Sequence, residues 1–422
     1  MTRPIHRRAV RLLLLSAAML GAHAPLDAQA QARPRARELG IALPGTPGPL
    51  NSITDVAGVE VGHATLIRGE GRLVRGQGPV RTGVTAILPR GRTGPDSVFA
   101  AWFTLNGNGE MTGTTWIEES GILEGPVLIT NTNSVGVVRD ATIDWMSRNG
   151  RAPIFALPVV AETFDGMMND GLGFHVRPEH AFAALDGARG GRVQEGNVGG
   201  GTGMMCHFFK GGIGTASRRV TVGDSTYTVG VLVQCNYGSR REMRVDGVPV
   251  GQEIRDLLPC MALGQRSSQP WLAGVPLCRG PVSLENTDAP PSKIEGLGSI
   301  IVVVATDAPL LPHQLKRIAT RVSLGVGRMG GFGENTSGDI FLAFSTGNRR
   351  GVSVAEGSAN VRMLSNEEIS PFFAATVFAT EEAILNSMLA AETMTGADGF
   401  RVHALPHDRL VEIMRRHHRI RP

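Results

Sequence analysis

Residues 300–305 read Ile-Ile-Val-Val-Val-Ala, six apolar positions of which five are β-branched. Such a run predicts a strand buried on both faces, because neither face offers water a polar side chain. A chain with such a strand must cover a sheet on both sides. Gly298-Ser299 heads the run, and the stretch before it is polar and rich in Pro and Gly. A small hydroxyl residue at this junction becomes a new chain N-terminus if the Gly298–Ser299 bond is cut. A Ser with a free α-amine carries nucleophile and candidate base in one residue, since that amine titrates near pH ~8. Gly298 on the acyl side has no Cβ to hinder approach of the Ser299 hydroxyl to its carbonyl. A Ser that merely starts a strand is common, so the junction alone is only a hypothesis.

The chain has 422 residues, 42% hydrophobic and 19% charged, enough for a large globular core. Aromatic residues make up 5%, too few for stacking on nucleic acid to be the main task. Arg3, Arg7, Arg8 and Arg11, an apolar stretch over 12–22, and small-x-small triplets at 22–24 and 28–30 have the pattern of a signal peptide over 1–30. The apolar part is short against the ~20 residues of a membrane span, and no other stretch suits one. Residues 1–30 hold four Arg and one Asp, a net +3 of the formal +4, so the remainder is near +1. The basic cluster at 415–421 closes an expected C-terminal helix, where it complements the helix dipole. Export predicts a periplasmic or secreted protein in an oxidising compartment. Of the four cysteines, Cys260 and Cys278 share one irregular segment and are expected to pair, whereas Cys206 and Cys235 read as buried thiols. Their spacing offers no zinc site, and Pro406 interrupts the spacing of His403 and His407, so neither a metal nor a cofactor is expected.

Short apolar runs at 84–88, 97–105, 127–130 and 154–160 alternate with Gly/Asn turns and predict sheet strands. A helix is expected to start at 141–146, and residues 219–236 read as a hairpin. Residues 253–298 lack periodicity and predict a long loop. Beyond Ser299 come a strand, a helix over 312–324 stopped by Gly325 and Gly327, a strand over 339–345, a helix from a Ser370 N-cap to about 395, and a last helix over 407–416. The layout is α/β: one domain with sheets between helix layers. If 299–345 forms a right-handed parallel βαβ unit, the strand heads share one sheet edge and bring Ser337 and Asp339 to Ser299. A carboxylate there can hold a proton relay or anchor a new ammonium, although Ser-Gly-Asp is also ordinary turn chemistry. Asn236 ends an apolar strand and offers the neutral amide donor that an oxyanion hole needs; Asn-Tyr-Gly is equally a turn. Glu162 follows a buried strand, where a carboxylate can bind a free ammonium. Asn131 and Ser134 are candidates to line the pocket. The Gly-rich block at 196–214 lacks the Lys-Ser/Thr ending of a phosphate loop and reads as a tight turn near the site.

Several blocks in one order strengthen these readings: TNTNSVG at 130–136, PVVAETFDG at 158–166, GNVGGGTGMMCHFFKGGIGTAS at 196–217, VQCNYG at 233–238, SIIVVVATDAPLLPH at 299–313 and SGDIFLAFST at 337–346. Together they resemble the self-cleaving serine aminopeptidases, the L-aminopeptidase/D-amidase and β-peptidyl aminopeptidase family, over roughly residues 40–400. The resemblance implies an α-β-β-α sandwich with an N-terminal-nucleophile-like site, cut into a 31–298 chain and a 299–422 chain. It implies catalytic roles for Ser299, Ser337 and Asp339, an oxyanion donor in Asn236, and a substrate-amine contact at Glu162. Many members have Tyr where this chain has Phe164, so a hydroxyl is lost beside the substrate. It further implies a small peptide, amide or ester substrate, β-amino-acid residues among the candidates, and a homotetramer of processed heterodimers without nucleic-acid or membrane partners. An acyltransferase on the same scaffold and a non-catalytic exported binding protein are the alternatives; the acyltransferase family uses Thr where this chain has Ser299.

Overall fold

The computed structural model describes Met1 and residues 33–94, 97–151, 155–267, 269–280, 282, 298–348 and 357–420. The expected signal peptide over 1–30 lies outside the described residues apart from Met1. In chain order come β1 (Glu60–Arg68), β2 (Val80–Leu88), β3 (Ser97–Thr104), α1 (Thr114–Ser120), β4 (Ile122–Glu124), β5 (Val127–Asn131), α2 (Val135–Arg148), β6 (Val159–Thr163) and α3 (Pro178–Asp186). Then follow β7 (Met205–Cys206), β8 (Phe209–Lys210), β9 (Gly212–Val222), β10 (Ser225–Asn236), α4 (Val250–Glu253) and β11 (Cys260–Met261). The last part holds β12 (Ser299–Thr306), α5 (Pro312–Arg328), β13 (Ile340–Ser345), α6 (Ser370–Leu389), β14 (Met394–Thr395), β15 (Phe400–Val402) and α7 (His407–Arg416).

Two sheets build the middle of the molecule. One has the order β1-β2-β5-β6, the other β4-β3-β13-β12-β10-β9. Side chains alternate across the strands, so each sheet feeds two apolar layers. Val302, Val304, Phe341 and Ala343 face Ile318 and Val322 of α5 and Ala379 and Ala383 of α6. Their neighbours Ile301, Val303, Ala305, Leu342 and Phe344 turn the other way and meet Ile87, Ile129, Val159 and Ala161 of the four-stranded sheet. That sheet's outer face, with Ala86, Leu128 and Val160, packs on Val138 and Ala141 of α2 and Ala181 and Leu185 of α3. Helix layer, sheet, sheet, helix layer is the expected α-β-β-α order. All eight residues of β12 are buried, as the run of β-branched residues requires. Among the described residues, no helix is long and apolar enough to cross a membrane.

β12, α5 and β13 form the expected parallel unit, with Ile301 opposite Ile340. β12 also pairs antiparallel with β10, which places Asn236 opposite Ser299.

Several boundaries differ from expectation. α5 does not stop at Gly325 or Gly327 but continues to Arg328. A Cβ at position 325 would lie 2.6 Å from Thr380 Cβ, so this glycine lets α5 cross close to α6 rather than ending the helix. α6 ends at Leu389 with Ala390 as its cap, because 394–395 pair with β15 instead, and its N-cap is Ile369 rather than Ser370. α2 begins at Val135, six residues before the expected start. The strand expected over 154–160 is β6 at Val159–Thr163, with Ile154 outside the described residues.

Candidate active site

Ser299 opens β12, and Ser337, Gly338 and Asp339 stand just before β13, so the parallel pairing puts both heads at one sheet edge. A parallel bridge joins Gly298 to Ser337. Ser299 is buried, and its Oγ accepts the Gly338 N–H at 3.1 Å. Asp339 Oδ1 accepts the Ser337 hydroxyl at 2.6 Å and the Ile300 N–H at 3.1 Å. Its Oδ2 accepts Asn106 Nδ2 at 3.2 Å, and its own N–H donates to Asn106 Oδ1 at 2.6 Å. Burial pushes the Asp339 carboxyl up to about 6, against the downward pull of Ser337, Ile300 and Asn106 and with a further push from the charge of Glu334. A carboxyl poised there can both take and return a proton near neutrality.

Gly298 packs against the end of β10. A Cβ on it would fall 2.0 Å from the Asn236 carbonyl oxygen, so only glycine fits on the acyl side of Ser299. Asn236 Oδ1 accepts the Met205 N–H at 2.8 Å, and Nδ2 donates to the Phe164 carbonyl at 2.9 Å. These two bonds fix the amide plane and leave one N–H of the pair for another acceptor. Cys206, next to Met205, and Cys235, next to Asn236, form a disulfide. They are therefore not the expected buried thiols: β7 and β10 lie side by side and bring the sulfurs together. Cys260 and Cys278 are bonded as expected.

Residues 51–402 match peptidase family S58. The beta-peptidyl aminopeptidase BapA of Sphingosinicella microcystinivorans is 52% identical over 387 residues, spanning 92% of this chain and 93% of that protein. Its namesake from Sphingosinicella xenopeptidilytica is 47% identical over 393 residues, 91% of this chain and 92% of that one. The solved L-aminopeptidase D-Ala-esterase/amidase of Ochrobactrum anthropi, described as a variant of the Ntn hydrolase fold, superposes with a TM-score of 0.78. It is 44% identical and covers 92% of this chain and 100% of its own. The chain belongs to peptidase family S58. It is a hydrolase, an aminopeptidase with an N-terminal-nucleophile type of site, and the reading as a non-catalytic binding protein falls.

In this S58 peptidase Glu162 lies inside β6, one residue before its end at Thr163, rather than after the strand as expected; it is buried and paired in register with Thr130 of β5. Its Oε1 accepts the Glu110 N–H at 3.0 Å and its Oε2 accepts the Thr132 hydroxyl. Burial raises its pKa, while those two bonds pull the other way. No Lys or Arg pairs with it among the described residues. A Cβ at Gly109 would lie 3.2 Å from Glu162 Oε1 and 3.0 Å from Gly338 Cα, so the turn at 106–110 bridges the Glu162 and Ser299 ends of the site.

Asn131 and Ser134 are both buried. Asn131 Nδ2 donates to Thr82 Oγ1 at 2.6 Å, and the group continues to Asp165, whose carboxyl burial pushes up to about 7. Thr132, between them in sequence, is the residue whose side chain reaches Glu162. Phe164 is half-exposed and meets Trp271 edge-on, ring centroids 6.5 Å apart. The Gly-rich block passes this site, since Met205 in its middle supplies the N–H that orients Asn236. His403 precedes α7 and His407 begins it; His407 Nε2 lies 2.9 Å from the Leu389 carbonyl oxygen. Among the described residues no group of three or more His, Cys, Asp or Glu could hold a metal ion.

Sequence reasoning missed Asn106, the Glu110 N–H, Thr132 and Trp271. The repeated Asn-Gly of 106–109 was an available signal, because two tight turns in succession between strands mark a loop with a shaped backbone.

Proposed function

We propose that the chain is exported, cuts itself between Gly298 and Ser299, and then releases N-terminal residues, β-amino acids included, from short peptides, amides or esters. The observation that carries this reading is the juxtaposition at Ser299: its Oγ meets the Gly338 N–H while Ser337 and Asp339 share a short hydrogen bond beside it. In self-cleavage Ser299 Oγ attacks the Gly298 carbonyl, and the amide becomes an ester as the nitrogen leaves as the Ser299 amine. Water then hydrolyses the ester, giving chains of 31–298 and 299–422. In the peptidase cycle the free amine takes the proton of the Ser299 hydroxyl. The Oγ attacks the substrate carbonyl, and the spare N–H of Asn236 meets the oxyanion. The departing amine takes the proton, and water releases the acyl group from Ser299. Asp339 and Ser337 hold the amine and relay its proton.

Glu162 suits the substrate ammonium: it is a buried carboxylate with two neutral donors and no cation. The names of the two Sphingosinicella relatives support β-peptides as substrates. The acyltransferase reading is not favoured, since these relatives are aminopeptidases. Residues 1–30 support a periplasmic or secreted location, and the family resemblance supports a homotetramer of cleaved heterodimers.

A denaturing gel and N-terminal sequencing test the proposal. The purified wild type gives two bands, the smaller beginning Ser-Ile-Ile-Val. Ser299→Ala stays one uncut, inactive chain. A single wild-type band, or another start, overturns the mechanism.

A further inference from the structure

An aminopeptidase takes its substrate amine first, so the peptide's N-terminus lies deepest and the rest of it leads outward. Here Glu162 is 3% exposed and Ser299 is 4% exposed, whereas Phe164 and Trp271 are 38% and 41% exposed. Phe164 stands two residues beyond Glu162, and its backbone carbonyl holds the amide of Asn236, which faces Ser299 across the sheet. Phe164 is thereby anchored beside the Asn236 amide through its backbone, while its side chain is open to water and meets Trp271. Trp271 arrives from a different part of the chain. Its neighbour Leu272 is buried among Met167, Met168, Met205, Phe208 and Phe400, and the Cys260–Cys278 disulfide closes the segment around it. A buried Leu beside a half-exposed Trp fixes the indole at the surface. Two large apolar rings meeting edge-on and open to water form a firm surface for an apolar side chain, with little rotamer freedom left to lose.

We propose that Phe164 and Trp271 form the subsite for the residue after the scissile bond and favour an apolar side chain there. The proposal rests on the aminopeptidase reading above. The two rings touch the leaving part of the substrate, not the acyl part, so the preference belongs to the acylation step and is read in kcat/KM. The Cys260–Cys278 bridge is a positioning element, acting by holding Trp271 against Phe164.

The experiment compares β-alanyl-leucine, β-alanyl-glycine and β-alaninamide, which share one acyl group. The wild type prefers leucine over glycine by about tenfold in kcat/KM, the scale at which an apolar contact of a few methylenes discriminates. Trp271→Ala removes most of that preference, chiefly through KM for the leucine substrate. Trp271→Phe keeps a ring at the position and retains most of the preference. The double change Cys260→Ser, Cys278→Ser reproduces the alanine result if the chain still folds. A wild-type ratio near one overturns the subsite. So does a Trp271→Ala protein with the wild-type ratio, or one in which all three substrates fall by the same factor. β-Alaninamide releases ammonia and cannot reach the rings, so a wild type inactive on all three substrates refutes the proposed release of β-residues, while an altered ratio speaks to the rings alone.

Discussion

Glu162 and Asp339 are both buried carboxylates without a cation among the described residues, and burial raises both. Their partners assign them different tasks. Glu162 is held by one N–H and one hydroxyl, which leaves its negative charge for an incoming ammonium. Losing one side of a buried charged contact costs ~2–5 kcal/mol, or ~30- to ~4,000-fold in kcat/KM. Glu162→Gln therefore loses most activity on free-amine peptides. It is still cut at Ser299, because self-cleavage involves no substrate amine. Full activity of the processed variant on those peptides refutes the assignment. Asp339 instead accepts from Ser337 and Ile300, contacts that favour its anion. Its folded pKa of about 6 lies above the ordinary 3.8, so the folded state holds the proton more tightly. Stability from this group is full below the lower value and lost as pH rises past about 6. Activity has the opposite sign, since the relay needs the anion. Self-cleavage of freshly translated chain is expected to be flat above pH 6 and to fall about tenfold per unit below it. After cleavage the new Ser299 ammonium sits one residue from the Ile300 N–H on Asp339 and favours the anion. In the peptidase cycle, however, that amine must be free to take the hydroxyl proton, and it titrates near pH ~8 with the Asp339 anion holding its proton on, so the acid limb of peptidase activity lies at higher pH than that of self-cleavage. A pH series on both reactions, read by gel and by product release, decides it; coincident limbs, or an Asp339→Asn chain that cleaves at the wild-type rate, count against this role.

Among the elements, what the sequence made visible is what local pattern encodes. The β-branched run declared β12, and the 3–4-residue spacing of Leu315, Ile318 and Val322 declared α5. Their order then implied the parallel pairing that unites Ser299 with Ser337 and Asp339. Gly325 misled because a glycine that permits close helix crossing looks in sequence like one that ends a helix. α6 misled because residues after 389 remain helix-compatible, and the competing pairing of β14 with β15 is not a local property. Asn236 was readable as a strand end and Glu162 as the neighbour of a buried strand, but their roles came from the family resemblance and not from spacing. Asn106, Thr132 and Trp271 reach the site through sheet order and a disulfide. Asn106 meets Asp339 because β3 lies beside β13, two strands more than 230 residues apart in the chain. Cys206 and Cys235 were missed for the same reason: only the packing of β7 on β10 brings them together.

At the scale of the whole molecule, cleavage before Ser299 would divide the six-stranded sheet in an interleaved way. Residues 31–298 supply β4, β3, β10 and β9, while 299–422 supply β13 and β12 between them. The smaller piece also supplies α5 and α6, which cover one face, and its Ile301, Val303, Leu342 and Phe344 fill the layer between the sheets. Separating the pieces would break the β10–β12 and β3–β13 ladders and expose both apolar layers to water. Each large apolar side chain uncovered costs ~1.5–3 kcal/mol, so about ten of them, fewer than residues 299–422 bury, exceed the ~12 kcal/mol of a nanomolar complex. The cut would free a chain end at the sheet edge without freeing the chain. The two fragments are therefore expected to co-elute on gel filtration after dilution to about nanomolar concentration, and to part only in denaturant. A 299–422 fragment expressed alone is expected to aggregate, since β12 and β13 would present bare edges and two uncovered faces. Fragments that separate under native dilution, or a soluble, folded 299–422 fragment, would contradict the interleaved core.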